Sequence, residues 1–168
     1  MNTSIEWIEG LYRETGPQLL AYLARRLGDL PAAEDALQET FAAVLRHPER
    51  VQAAASARAY LFGIARNLAT AAGRSRRETD LLSPDLAAEE LTVDPRLELM
   101  REAMTRLKPE FREALELRLR HELSYQEIAD ILDVPLGTVR SRLHHAVNQL
   151  RRAIHPPQIT AFMGKETV

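Results

Sequence analysis

The chain has 168 residues, 45% of them hydrophobic and 27% charged, with a net charge of −2. That composition belongs to a globular protein of one ordinary domain or two small ones, and it excludes wholesale disorder. With no cysteine present, a disulfide framework, a thiol nucleophile and a cysteine-ligated metal are excluded too. The same lack fits a reducing cytoplasm, the expected location.

The opening MNTSIEWIEG sets no basic start before an apolar core, so no secretion signal is read there. No uncharged apolar run approaches the roughly eighteen residues a membrane span needs. Aromatic residues are 5%, low for a protein built on sheets, and the dominant alanine, leucine, arginine and glutamate all favour helix. Charge is segregated along the chain. Residues 66–77 hold four arginines (Arg66, Arg74, Arg76, Arg77) and no acid, and residues 134–155 hold four more with three of the five histidines. Between them, residues 78–99 carry seven acids against one arginine. Solvated helix faces are the ordinary explanation of such blocks.

In chain order, residues 5–27 show helical spacing through Ile5, Ile8, Leu11 and Tyr12, then Leu19, Leu20, Tyr22, Leu23 and Leu27. Gly16-Pro17 predicts a break into two short helices. After the turn Gly28–Pro31 a helix is predicted to about Leu45, with Ala33, Ala36, Leu37, Phe41 and Val44 inward, ended by His47-Pro48. Residues 47–55 read as a loop. Ser56 is the expected N-cap of a helix to about Gly73 with the stripe Tyr60, Leu61, Ile64, Leu68 and Ala72. Residues 77–95, with two prolines and many acids, read as a flexible acidic linker that could stretch roughly 60 Å. Further helices are predicted over 97–107 (Leu97, Met100, Met104, Leu107 inward), 109–121 (Phe111, Leu115, Leu119), 124–132 and 136–154. The expected fold is all-α: two small helical domains, 1–76 and 96–155, joined by the linker 77–95 and followed by a frayed tail, 156–168.

The most specific segment is Leu123–Arg152. Ser124-Tyr125-Gln126-Glu127 fits a capping box, Asp133-Val134-Pro135 a tight turn with aspartate in the left-handed position, and Val139, Leu143, Val147 and Leu150 one inward stripe. This is the layout of a helix-turn-helix whose second helix faces outward with Thr138, Arg140, Ser141, His144 and His145. Arginine can bridge two acceptors of guanine in the major groove, and the hydroxyls can serve bases or phosphate. A purely structural hairpin has no need of an acid-free face. Adjacent His144 and His145 point apart on a helix, so they do not read as metal ligands.

Helix-turn-helix units are widespread, but the rest of the chain narrows the choice. Residues 29–41 (DLPAAEDALQETF), 60–68 (YLFGIARNL) and 123–150 together resemble, in order and spacing, a bacterial sigma factor of the sigma-70 family, extracytoplasmic-function (ECF) group, over nearly the whole chain, residues 8–154. The resemblance implies that the first segment docks on the β′ clamp helices of core RNA polymerase. Asp35, Gln38 and Glu39, which lie off the apolar stripe, would form that surface, carboxylates and an amide suiting a basic partner. It implies that the second segment meets the promoter −10 element. The loop near 51–58 would capture an extruded base with Tyr60, Phe62, Ile64 and Asn67 beside it, and Arg66, Arg74, Arg76 and Arg77 would meet phosphate. Here the chain departs from the common pattern: Tyr60 stands where tryptophan is frequent, and the loop VQAAASAR has no aromatic ring.

The resemblance further puts −35 contacts on Arg118, Thr138, Arg140, Ser141, His144 and His145, with Arg142 meeting phosphate or an acid. It implies the polymerase β flap as a further partner and an anti-sigma factor as a regulator. No small-molecule substrate, cofactor, metal or direct membrane insertion is expected, and the absence of a phosphate-binding glycine loop or nucleophile constellation argues against an enzyme. Two alternatives stay open: a dimeric helix-turn-helix regulator acting without core polymerase, and a sigma mimic that only sequesters an anti-sigma protein.

Overall fold

The computed structural model describes the backbone of residues 2–77 and 95–154, with side chains from 6 to 73 and from 98 to 154. The expected linker, apart from its ends, and the expected tail lie outside the described residues. Every described element is an α-helix. The first four are α1 (Asn2–Leu27), α2 (Leu30–Arg46), α3 (Pro48–Ala53) and α4 (Ala57–Arg77), and they pack on one another. The second four are α5 (Pro95–Arg106), α6 (Pro109–Arg120), α7 (Tyr125–Leu132) and α8 (Leu136–Ile154), with α5, α6 and α7 each packed on α8.

Three local expectations are corrected. α1 runs unbroken through Pro17. Proline in a helix interior costs about 3 kcal/mol, but Ile8 and Leu11 before it and Leu19 and Leu23 after it belong to one core face, and a break would turn half of that face away. The Tyr12 ring, on the turn before Gly16, packs edge-on to Phe41 at 4.8 Å and ties this stretch of α1 to α2. The presumed loop at 47–55 contains α3, with Pro48 in the first turn and Val51 driven into the core. α4 continues past Gly73 to Arg77, although its start is as expected: Ser56 Oγ accepts from the Ala59 N–H at 3.1 Å.

The inward faces also shift by a residue or two. On α4 the buried residues are Ala59, Leu61, Phe62, Ala65 and Ala69, while Tyr60, Ile64 and Leu68 are half-buried and Ala72 is exposed. A single stripe fails because α4 is covered on two sides, by α1 and α2 and again by α7 of the second set. Met100, Leu119 and Val147 are exposed, and Ala103, Ala114, Leu117 and Ala146 are buried in their stead. Alanine brings the helices close at those positions, which leaves the larger neighbours outside.

The helix-turn-helix forms as its sequence directs. Ser124 Oγ accepts from the Glu127 N–H at 3.2 Å, and Glu127 Oε2 accepts from the Ser124 N–H at 2.8 Å, closing the capping box. Asp133 ends α7 in the left-handed region at φ 52°, ψ 53°. Pro135 then starts α8, its carbonyl accepting from the Thr138 and Val139 N–H groups. Ile128, Ala129, Leu132, Val139 and Leu143 seal the pair.

Candidate nucleic-acid and polymerase interfaces

On α2 the apolar stripe Ala33, Leu37, Phe41 and Val44 is buried, and Asp35, Gln38 and Glu39 are exposed on the opposite side. Glu39 pairs with Arg46 two turns further on. Leu45 lies on the same exposed face, two turns from Gln38, and is 58% exposed.

On α8, Arg140, Ser141, His144 and His145 are exposed, and Thr138 and Arg142 are half-buried. His144 Nε2 lies 2.8 Å from Asn148 Nδ2, and the His145 ring stacks on Phe111 at 5.7 Å. The two imidazoles therefore have separate surroundings, and among the described residues no cluster of metal-ligating side chains is found. Arg118, on the supporting helix α6, donates to the Leu123 carbonyl at 2.9 Å while its guanidinium lies 5.5 Å from the centre of the Tyr125 ring. It is exposed, but its head ties down the turn that leads into α7.

The α4 residues divide into two groups. Tyr60, Ile64 and Asn67 follow one another at i, i+4 and i+7 and line a cleft of about 290 Å³ with Ala54, Ser56 and Gly63. Asp130 of α7 closes that cleft from the other side. Phe62 and Arg66 point elsewhere, into the contact with α6. Phe62 is fully buried, edge-on to Tyr22 at 5.5 Å and 5.0 Å from the His121 ring. Arg66 Nε donates to Glu113 Oε1 at 2.8 Å and its Nη2 to Oε2 at 3.4 Å. Arg74, Arg76 and Arg77 fall in the last turns of α4, and their side chains lie outside the described residues.

The contact between the two sets of helices adds Arg25, Arg26, Glu113 and Glu116, which no sequence motif flagged, to Ser56, Arg66 and Glu127. Arg26 of α1 joins Arg66 on the Glu113 carboxylate at 2.8 Å, and Arg25 reaches Glu116 at 3.4 Å. Arg58 donates to Gln18 and to the His121 carbonyl. Ser56 Oγ donates to Glu127 Oε1 at 2.8 Å. Burial works against the Arg66 charge, but the hydrogen bond and charge of Glu113 outweigh it and hold the guanidinium more firmly protonated. Glu127 is similar: burial opposes its charge, and the Ser124 N–H, the Ser56 and Ser124 hydroxyls and Arg58 overcome it, so the carboxyl is held below its usual range. His121 is driven to about 4 by burial first and then by the Arg58, Arg120 and Arg25 charges. Burial pushes Tyr22 up.

A helical first region with an acceptor-bearing outer stripe, and a second region ending in a helix-turn-helix, define a transcription factor of two modules. The sequence matches the family models for sigma-70 region 2 over residues 11–79 and sigma-70 region 4 over residues 97–150. It is 35% identical to the ECF RNA polymerase sigma factor SigL of Mycobacterium tuberculosis, across 91% of this chain and 92% of that protein. It is 31% identical to the RNA polymerase sigma factor YlaC of Bacillus subtilis, across 86% and 90%. The fold is similar to that of the sigma factor RpoE of Bartonella quintana, solved with the anti-sigma factor NepR (TM-score 0.68, 23% identity, 89% and 98% covered). The chain belongs to the sigma-70 family, in the ECF group, and is an alternative sigma factor that directs transcription initiation. Among the described residues no helix is long and apolar enough to cross a membrane.

Proposed function

We propose that this sigma factor lends promoter choice to core RNA polymerase through three separate surfaces, in a chain divided into 1–76, the linker 77–95, 96–155 and the tail 156–168. Asp35, Gln38 and Glu39, with Leu45, take the β′ clamp helices, and the second region meets the β flap. Arg140, Ser141, His144 and His145 read the −35 element from the exposed side of α8, with Thr138 and Arg142 toward the backbone and Arg118 supporting the turn. Tyr60, Ile64 and Asn67 form the place for an extruded −10 base, while Phe62, on the other side of α4, fixes the helix in the core. Arg66, Arg74, Arg76 and Arg77 neutralise phosphate along the melted strand.

The chain works in the cytoplasm as a specificity subunit rather than as an enzyme, and an anti-sigma factor holds it in reserve. The observation that carries this reading is the pair of family regions in the right order, each with its expected polar face on the outside. Transcription from selected promoters with purified core polymerase tests it. Promoter-dependent transcripts are expected with the chain and not without it, and the absence of any such transcript refutes the assignment. The dimeric-regulator alternative would instead show tight binding to a palindrome by the chain alone.

A further inference from the structure

Resting on the reading of α8 as the −35 helix, we infer that Asn148 is a positioning residue that presets His144 as a hydrogen-bond donor to an acceptor-bearing base edge. The two residues are one turn apart, and Asn148 Nδ2 lies 2.8 Å from His144 Nε2. An amide nitrogen can only donate, so Nε2 accepts, and the proton of the neutral imidazole sits on Nδ1. Free histidine in water favours the other tautomer, so this bond selects the minor form. No described residue bonds Nδ1, which is left to donate outward.

The ring is held in place as well. His144 meets the His145 ring edge-on at 5.9 Å, and His145 lies flat on Phe111 of α6, with 15° between the planes and 5.7 Å between the centres. Phe111 is half-buried and anchors this run of rings to the supporting helix, with Lys108 Nζ 5.7 Å from its centre. A ring fixed in this way has little freedom left to lose when it meets DNA.

The consequence is a specificity. Arg140 lies one turn before His144 on the same exposed face, and it too can only donate. Donors at both positions suit acceptors in the major groove: N7 and O6 of guanine, N7 of adenine and O4 of thymine. The amine of cytosine offers such a donor nothing. An unfixed imidazole could turn an accepting nitrogen to that amine. Asn148 therefore narrows the choice of base with no need to touch one itself.

Nitrogen NMR of the full-length chain, labelled on its histidine rings, reads the tautomer directly at about pH 8, where imidazole is neutral. His144→Ala identifies the His144 signals among those of the five histidines. The wild type is expected to carry the proton on Nδ1, Asn148→Ala to shift it toward Nε2, and Asn148→Gln, which keeps the amide donor, to restore the wild-type pattern. Alanine is a better helix former than asparagine, so the first variant keeps its fold. In parallel, competition among promoters that differ by single −35 base pairs measures the choice made by the chain on core polymerase. At the pair where His144→Ala loses discrimination, Asn148→Ala should bind the preferred sequence more weakly, about fivefold if about a fifth of the freed rings keep the proton on Nδ1. Added to His144→Ala, it should change nothing further.

A proton on Nε2 in the wild type, or a tautomer that Asn148→Ala does not move, overturns the inference. So does an effect of Asn148→Ala that persists without His144, the mark of a general change in α8. If His144→Ala leaves every −35 preference intact, the reading of His144 as a base contact fails and the specificity falls with it. If it alters one and Asn148→Ala does not, only the presetting is refuted.

Discussion

Lowering the pH from 7 to 4 charges one side chain that the contact between the two regions cannot accommodate. His121 caps the C-terminal end of α6, where the helix dipole favours an imidazolium. Burial against Tyr22 and Phe62 outweighs the dipole, and Arg58, Arg120 and Arg25 add repulsion, so the group titrates at about 4 instead of 6.5. Above about pH 6.5 the ring is neutral whether the contact is made or broken, and nothing changes. Between 6.5 and 4 the opened or unfolded chain binds a proton that the closed one refuses, so stability falls as the pH falls, and below about 4 the full cost is present. A difference of roughly 2.5 units corresponds to on the order of 3 kcal/mol. His121→Phe keeps a ring between Tyr22 and Phe62 and removes the titration. Glu127, whose carboxyl is also stabilised in the folded chain, loses stability with acid in both proteins and cancels. Thermal melting of wild type and variant from pH 7.5 to 4 should therefore diverge, by about 5–10 °C at the acid end, in favour of the variant. Parallel curves would refute the argument that a neutral imidazole is required at this contact.

Arg140→Ala should lower transcription from a selective promoter and relax one base preference in the −35 element, at a cost of about 1–3 kcal/mol if the contact is bidentate. A competition assay over −35 variants reads this, and an unchanged preference shows that Arg140 is not a reader. Arg76→Ala should weaken promoter binding by the polymerase complex for all sequences alike and reduce the slope of affinity against salt by about one contact. An unaltered slope removes it from the phosphate set. Ser124→Ala breaks the capping box and should cost about 1 kcal/mol, seen as a drop of a few degrees in melting temperature. An unmoved midpoint would mean that the Glu127 half of the box suffices.

Local signals were legible wherever a short stretch sets its own conformation. Ser124 and Glu127 predict their reciprocal hydrogen bonds because the box closes within four residues. Asp133 predicts its left-handed backbone because the turn before Pro135 allows little else. The outward faces of α2 and α8 follow from helical period. The failures are of another kind. Pro17 reads as a break because local cost is visible and the packing that overrides it is not. Arg25 and Arg26 read as ordinary basic residues at a helix end, and nothing in the sequence ties Arg26 to a glutamate at position 113. Phe62 and Arg66 were placed at the −10 face by resemblance. In the structure that placement coincides with a contact to His121 and Glu113, which no periodicity within α4 could disclose.

That contact changes the reason for expecting poor promoter binding by the chain alone. Two loosely tethered modules would bind weakly because each grip is small and joint engagement is needed. A chain whose two sets of helices stay packed has a further reason: Arg66, proposed to meet phosphate, already pairs with Glu113 of the second set. The two accounts differ in what salt does. Screening weakens every contact to DNA phosphate, so loose modules only lose affinity for the −10 strand as salt rises. In the packed chain the same screening also loosens the Glu113 cluster and frees Arg66. Part of the loss is then offset, and the slope of −10 affinity against salt is shallower in the wild type than in Glu113→Gln.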